Sequence, residues 1–194
     1  KLVDGGIIDI LIITGKEHMG DIVSYLGSGS DFGCNFTYKV QDEAGGIAQA
    51  LQLVEGFIGM DEFFWVILGD NILNFSLPEV VEEKSLVLFT KSVEDPQRFG
   101  VYSDGNITEK PEKPKGDKAV LGVYGYKYDT HFKCAIKGLT KSERGEVEVT
   151  DLNNKLLSLD FNVTSIIDIG ELCWSDAGTL ESYQKVNRWE WVWK

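Results

Sequence analysis

A chain of 194 residues, 43% hydrophobic and 26% charged, has the composition of a globular protein and the length of one ordinary α/β domain able to bury a full core. Its formal net charge of −12 would repel a polyphosphate backbone or an anionic bilayer, which argues against nucleic-acid and membrane-surface binding. Local cations and backbone N–H groups can still hold a small anion. Three scattered cysteines, Cys34, Cys134 and Cys173, with no Cys-x-x-Cys pair, argue against a thiolate metal site, and the simplest compartment is a reducing cytoplasm. The sequence shows no signal-peptide pattern and no apolar run of membrane length. It opens on Lys1-Leu2-Val3-Asp4 without Met, as expected of a start inside an element.

Ile7 to Thr14, closed by Gly15, predicts a buried strand, and His18 to Leu26 a short helix stopped by Gly27-Ser28-Gly29. Asn35 to Gln41 alternates like a strand and ends in a turn from Asp42 to Gly46. Helical spacing then runs from Ile47 to Phe57 through Ala50, Leu51 and Val54, and Gly59 leads to Phe63-Phe64-Trp65-Val66-Ile67-Leu68. That unbroken apolar run reads as a strand buried on both faces. It stops on Gly69-Asp70-Asn71. In open α/β sheets ligands sit beyond the carboxyl ends of the strands, so Asp70 is placed to hold a metal ion or a phosphate. The same three residues also read as a plain turn. Strand, helix, strand, helix, strand at these intervals implies right-handed βαβ units and a mostly parallel sheet.

Beyond Asp70, strands are expected over Leu86 to Thr90, Phe99 to Tyr102, Val120 to Tyr128 and Val163 to Ile169. Glu109 to Lys118 reads as a Pro- and Lys-rich loop, and Thr150 as the cap of a helix from Asp151 to Leu159. No repeat and no linker divides the chain, so residues 1–194 are expected to form a single domain.

Asp176, in Trp174-Ser175-Asp176-Ala177-Gly178-Thr179, is a second acid in a glycine-bearing turn. With Asp70 it can hold one Mg²⁺, which takes one or two carboxylates plus substrate phosphates; alone, it reads as a helix cap. Gln41 presents a donor and an acceptor side by side, matching the edge of thymine or uracil, and Gly45-Gly46 would let backbone approach a base. A polar strand end and a loose turn account for the same residues. Glu109-Lys110-Pro111 offers an acceptor for sugar hydroxyls beside a cation for phosphate, or a solvated surface loop. Arg144 either forks onto phosphate or faces water. His18 and His131 are assigned no role.

Taken in order, Gln41…Gly46-Ile47-Ala48-Gln49-Ala50, Leu68-Gly69-Asp70-Asn71, Asp95-Pro96-Gln97-Arg98-Phe99-Gly100-Val101, Glu109-Lys110-Pro111, Ala119-Val120, Arg144-Gly145-Glu146-Val147-Glu148-Val149-Thr150-Asp151 and Trp174 to Thr179 closely resemble the glucose-1-phosphate thymidylyltransferases. Ile13 to Asp21 looks like their short branch associated with spore-coat polysaccharide synthesis. The resemblance implies a Rossmann-like nucleotidyltransferase sheet, mostly parallel with antiparallel additions. It makes Asp70 and Asp176 the Mg²⁺ ligands and Gln41 and Gly46 the readers of thymine. It puts Leu68, Asn71, Gly100, Glu109, Val120 and, less closely matched, Tyr124 on the sugar, with Lys110 and Arg144 on phosphate. Leu121 and Leu180 depart from the family pattern.

The resemblance also implies a strand, Gly-rich loop and helix that hold the triphosphate, and residues 1–194 contain no such segment. The expected domain is N-terminally incomplete, with unpaired edges where that strand would lie. The expected activity is thymidylyl transfer from dTTP to glucose 1-phosphate, in the cytoplasm; the alternative is a non-catalytic nucleotide-sugar-binding or regulatory protein that lost the phosphate loop. The tail from Arg188 to Lys194, with Trp189, Trp191 and Trp193, needs cover from the domain or from a second subunit, a symmetric homodimer being the simplest.

Overall fold

The computed structural model describes residues 1–78, 84–159 and 164–189. β1 (Asp9–Gly15) and β2 (Asn35–Gln41) pair in parallel, with Asp9 opposite Asn35 and Gly15 opposite Gln41, and α1 (Lys16–Leu26) is the crossover between them. Gly27 ends α1 at φ +58°, returning its N–H to the Val23 carbonyl. The helical spacing after Gly46 is used for one short helix only: α2 (Ile47–Leu51) tightens into a 3-10 turn at Gln52–Val54 instead of running to Phe57. Ala48, Leu51 and Val54 are its buried face.

Next come β3 (Phe63–Ile67), β4 (Asn71–Leu73), β5 (Leu86–Ser92), β6 (Gly100–Ser103), β7 (Asn106–Glu109) and β8 (Lys118–Lys127). The chain finishes through α3 (Thr130–Lys137), α4 (Val149–Leu159), β9 (Thr164–Asp168), β10 (Trp174–Asp176) and α5 (Leu180–Val186).

β8 is the spine of the main sheet, and every residue from Ala119 to Tyr126 is buried. β5 lies antiparallel along one side of it, and β9 continues the sheet parallel to β5. On its other side β3 pairs with the far half, Phe63 opposite Lys127 and Ile67 opposite Val123, while β6 meets it at Ala119 and carries β7 outward. β3, β5, β6 and β9 therefore run one way, and β8 and β7 run against them. This is the Rossmann-like α/β arrangement with antiparallel additions that the sequence resemblance implies.

Both faces of this sheet are covered. Leu86 and Leu88 of β5 face a cluster with Phe64, Tyr126, Phe132, Leu152 and Leu156, which brings α3 and α4 against the sheet. Val87 and Phe89, one residue out of phase, join Leu121, Val123 and Ile169 on the opposite side with Phe75 and Trp174 packed on them. Alternate residues of one apolar strand thus serve two cores, as a sheet buried on both faces requires.

Among the described residues, β1 pairs only with β2, and β3 only with β8. Each keeps one edge without a strand partner, as the sequence leads one to expect. Leu11 and Ile13 nevertheless pack against the helix-side core, so the β1–α1–β2 unit is joined to the sheet through side chains.

Several sequence expectations change. Thr150 lies inside α4, not ahead of it, and its hydroxyl is used on Glu109 instead of a helix N–H. Glu109 ends strand β7, and the loop begins only at Lys110. The strands β4 and β10 span three residues each, too few for any periodicity to show in the sequence. α3 does carry a readable signal, since Asp129 accepts the Phe132 N–H at 2.8 Å as its cap and Gly138 follows its last residue. In the tail, residues 190–194 lie outside the described residues, while the Trp189 N–H donates to the Val186 carbonyl.

Candidate active site

After β3 the Leu68 N–H donates to the Gly122 carbonyl at 2.9 Å, so the chain leaves the sheet still tied to β8. The Asp70 carbonyl accepts the Ala177 N–H at 2.6 Å, and Asn71 stands opposite Asp176 in the β4–β10 ribbon. Two carboxylates far apart in sequence become neighbours on facing arms of one antiparallel pair. Asp176 is not a helix cap. That role belongs to Thr179, which accepts the Ser182 N–H and forms a capping box with it. Burial lifts the Asp176 carboxyl above its ordinary range, with the negative charges of Asp70 and Asp95 adding to this and Arg98 opposing it.

Asn71 fixes the first of these carboxylates. Its Oδ1 accepts the Trp174 Nε1–H at 2.7 Å and the Gly122 N–H at 3.1 Å. Both partners can only donate, so the amide nitrogen must point the other way, and it donates to Asp70 Oδ1 at 2.8 Å. Gly122 is required for this: a Cβ there would lie 2.5 Å from the Asn71 amide nitrogen. The side chain of Asn71 is thus committed to Asp70. Gly122 of β8 and the indole of Trp174 orient Asn71, and neither contact has a signal in the sequence, because the sheet brings the one and the β4–β10 ribbon the other to Asn71.

A metal fits this pair. The two neighbouring carboxylates offer oxygen ligands alone, and the Asp70 carboxylate lies 3.0 Å from where a Cβ of Gly178 would be, an approach that glycine allows. Among the described residues no group of three or more His, Cys, Asp or Glu is arranged to hold an ion. Two carboxylates with the remaining positions left to phosphate or water suit a hard divalent cation.

Several of the residues that the sequence resemblance puts on a sugar lie on β6, β7 and β8. Gly100 and Glu109 face each other across β6 and β7. Glu109 Oε2 accepts the Thr150 hydroxyl at 2.5 Å, and its Oε1 lies 3.5 Å from Arg144 Nη1. A Cβ on Gly100 would sit 3.3 Å from the Thr150 hydroxyl and 3.4 Å from Glu109, so glycine keeps the carboxylate approachable. Tyr124 is buried, which pushes its phenol far above the ordinary value, and the charges of Glu109 and Asp70 add to the shift. It therefore keeps its proton. Val120 is buried on β8, and Leu68 packs where a side chain on Gly122 would go. Lys110 follows with its backbone at φ +38°, a left-handed conformation rare for lysine, held by its N–H on the Phe99 carbonyl at 3.0 Å.

Arg144 links this region to β2. It lies 3.5 Å from Glu109, 3.5 Å from Glu148 and 3.8 Å from Glu146, ion pairs too long to be good hydrogen bonds. Glu146 and Val147 in turn pack on Gly46, whose φ of +96° and whose approach to the Val147 backbone, 2.6 Å from a would-be Cβ, admit only glycine. Gln41, the last residue of β2, gives its amide protons to the Gly46 carbonyl at 3.1 Å and to Gln49 Oε1 at 2.7 Å. Its carboxamide oxygen is then the atom left to meet a ligand, so Gln41 offers an acceptor where the sequence suggested a donor and acceptor together. His131 lies beside Asp129 at the start of α3, and His18 is exposed on α1.

A family model described as nucleotidyl transferase matches residues 1–190. The chain is 38% identical over 189 residues to a glucose-1-phosphate thymidylyltransferase of Neisseria meningitidis serogroup A, covering 91% of this chain and 64% of that protein. It is 34% identical over 201 residues to the low-salt glycan biosynthesis nucleotidyltransferase Agl11 of Haloferax volcanii, covering 96% of this chain and 54% of that one. The chain spans less than two thirds of the length of these relatives. A crystal structure of a Bacillus anthracis protein described as a glucose-1-phosphate thymidylyltransferase, solved with sucrose, superimposes with a TM-score of 0.83 at 46% identity, over 96% of this chain and 77% of that one. A UDP-glucose pyrophosphorylase solved with UDP-glucose shares the fold, with a TM-score of 0.71 at 20% identity over 94% of this chain and 80% of its own.

Proposed function

We propose that this chain, which belongs to the nucleotidyl transferase family, carries the base-, sugar- and metal-binding part of an enzyme that makes dTDP-glucose and pyrophosphate from dTTP and glucose 1-phosphate, a step toward polysaccharide. The observation that supports it most is the β4–β10 ribbon, which sets Asn71 opposite Asp176 and ties the Asp70 carbonyl to the Ala177 N–H, and so brings the two carboxylates close enough for their charges to interact.

In this reading the Gln41 oxygen accepts the ring N–H of thymine, and backbone at Gly46 lies against the base. Glu109 accepts from sugar hydroxyls while Thr150 holds its other oxygen, the protonated Tyr124 lies alongside, and Gly100, Leu68 and Val120 shape the pocket. Asp70 and Asp176 would hold Mg²⁺, which when bound neutralises charge on the α-phosphate. Arg144 and Lys110 supply positive charge to the phosphates; the Arg144 fork, which makes long ion pairs with Glu109, Glu146 and Glu148, has donors to turn to an anion.

A phosphate monoester with second pKa near 6 is already mostly dianionic at neutral pH, so the attacking oxygen needs no base, consistent with a site built without histidine. That oxygen forms the new bond to the α-phosphorus in line with the α–β bridge, which breaks and leaves with its electron pair as pyrophosphate. Catalysis is then positioning plus charge neutralisation.

The open edges of β1 and β3 support a further part of the reading. A strand–loop–helix of roughly 30 residues, supplied from outside residues 1–194, would pair with both edges and cradle the triphosphate. A cavity of about 360 Å³ is lined by Leu2, Ile67, Asn71, Leu73 and Phe75. We place the enzyme in the cytoplasm and propose that it forms a homodimer.

Residues 1–194 and the same chain preceded by a family-like strand–loop–helix test this, with pyrophosphate release and dTDP-glucose binding as readouts. Both should bind dTDP-glucose, and only the longer should turn over. Equal turnover by both removes the completing segment from the reading. Binding without turnover in both favours a nucleotide-sugar-binding or regulatory protein, and no binding by either overturns the site.

A further inference from the structure

Arg98 closes the 3-10 turn Pro96–Arg98 immediately before β6. Its Nη2 lies 2.8 Å from Asp176 Oδ2, and its Nη1 lies 2.9 Å from Asp95 Oδ2. The guanidinium carbon stands 5.2 Å over the Phe99 ring, and that ring packs edge-on at 5.6 Å against Trp174, two residues before Asp176. A cation is therefore seated by two carboxylates and an aromatic face, and one of those carboxylates belongs to the proposed metal corner.

We propose that Arg98 is the resident counter-cation of Asp176, and that a divalent cation and Arg98 compete for that carboxylate. The inference rests on Asp70 and Asp176 being the metal ligands. A divalent cation within coordinating distance of Asp176 and a guanidinium on the same carboxylate repel each other, and Asp95 gives Arg98 a seat to keep when Asp176 is taken. Without metal, Arg98 offsets the repulsion between Asp70 and Asp176 and holds the corner assembled. With metal, the same charge is supplied by the ion. Arg98 thereby lowers the affinity of the corner for the bare cation and favours entry of the metal together with phosphate, whose negative charge offsets Arg98 as well. A turn that sits one residue from the sugar-facing Gly100 is in this way coupled to the metal.

Mn²⁺ binding to the chain, followed by paramagnetic resonance at low salt without nucleotide, reads this directly. Arg98→Gln keeps the length of the side chain but removes its charge and should bind Mn²⁺ about 2–5-fold more tightly, the fold-change expected from removing one competing surface ion pair. Arg98→Lys should stay near the native value, and added KCl should shrink the gap. Asp176→Asn should lose most of the binding in either background. Unchanged or weaker Mn²⁺ binding by Arg98→Gln, with Asp176→Asn still defective and both variants melting cooperatively, overturns the competition and makes Arg98 a plain support for Asp176. Mn²⁺ binding that ignores Asp176→Asn overturns the metal assignment, and the competition with it.

Discussion

Residues 9–41 and residues 86–126 contain equally apolar strands with different fates. Ile10, Leu11, Ile12 and Ile13 in β1 are each only half-buried, whereas Leu86, Val87, Leu88, Phe89 and Thr90 in β5 are all buried. Within residues 1–41 only Gly29 and Cys34 are buried, and no residue of α1 is. The difference is one of neighbours. β5 has β8 and β9 on its two edges and a core on each face, while β1, among the described residues, has β2 alone. Hydropathy states that a strand needs cover; its place in the sheet decides whether it has any. The division runs through the candidate site as well, since Gln41 hangs from the lightly anchored pair, while Asp70, Glu109 and Tyr124 stand on the framework around β8.

The largest expected effect compares one leucine from each region. Leu88→Ala, fully buried in β5, should cost about 2–5 kcal/mol in urea unfolding. Leu11→Ala, half-buried in β1, should cost roughly half as much or less. Hydrogen exchange should likewise release β1 and β2 amides before those of β8. Equal losses, or equal protection, would erase the distinction between the regions.

Thr150→Val comes next, inside the framework. It removes a 2.5 Å hydrogen bond to the Glu109 carboxylate and should cost about 1.5–3 kcal/mol of stability together with affinity for the sugar phosphate. Gln41→Ala in the other region should leave stability nearly unchanged while eroding preference for dTTP over ATP in competition binding. Should Gln41→Ala be the more destabilising of the two, the base side is anchored more firmly than its burial indicates.

The smallest effect tests the outer edge of the framework through pH. The Lys118 ammonium hydrogen-bonded to Asp168, helped by the Gly170 N–H, holds that carboxyl below its ordinary value of 3.8. The unfolded chain then binds the proton more readily, so the pair contributes stability above pH 3.8 that is lost as pH falls through the folded value. Both side chains are more than a third exposed, 37% for Lys118 and 47% for Asp168, so Asp168→Asn should cost less than about 1 kcal/mol at neutral pH and flatten the acid limb of the stability curve. An unchanged acid limb would mean that the pair does nothing to tie β8 to β9 across β5.

Much of this arrangement could be read from residue order. The strands around Ile12, Trp65, Leu88 and Val123 follow from apolar runs bounded by glycine or charge, and α4 from the helix expected after Thr150. Asp70 at the end of its strand, Gln41 beside two glycines and the pair Glu109-Lys110 could be singled out by residue chemistry, although each had a bland reading that the residues alone left standing. The three-residue strands β4 and β10 could not be read, because two or three side chains define no period, and with them went the ribbon that sets Asp70 beside Asp176. Thr150 is legible as a helix start but does not serve as its cap, since its hydroxyl donates to a carboxylate 41 residues away in sequence.

Residue order alone settles where the apolar strands lie, which residue types could hold a metal, a base and a sugar, and, through the succession of motifs, which family they resemble. All of these depend on side-chain chemistry and on periods within one element. It takes the packed chain to commit the side chain of Asn71 to Asp70, to leave Gln41 only its oxygen for a ligand, and to rest Arg98 on Asp176. A hydrogen-bonding group can do one thing at a time, and which partner it takes is set by segments that meet across the sheet.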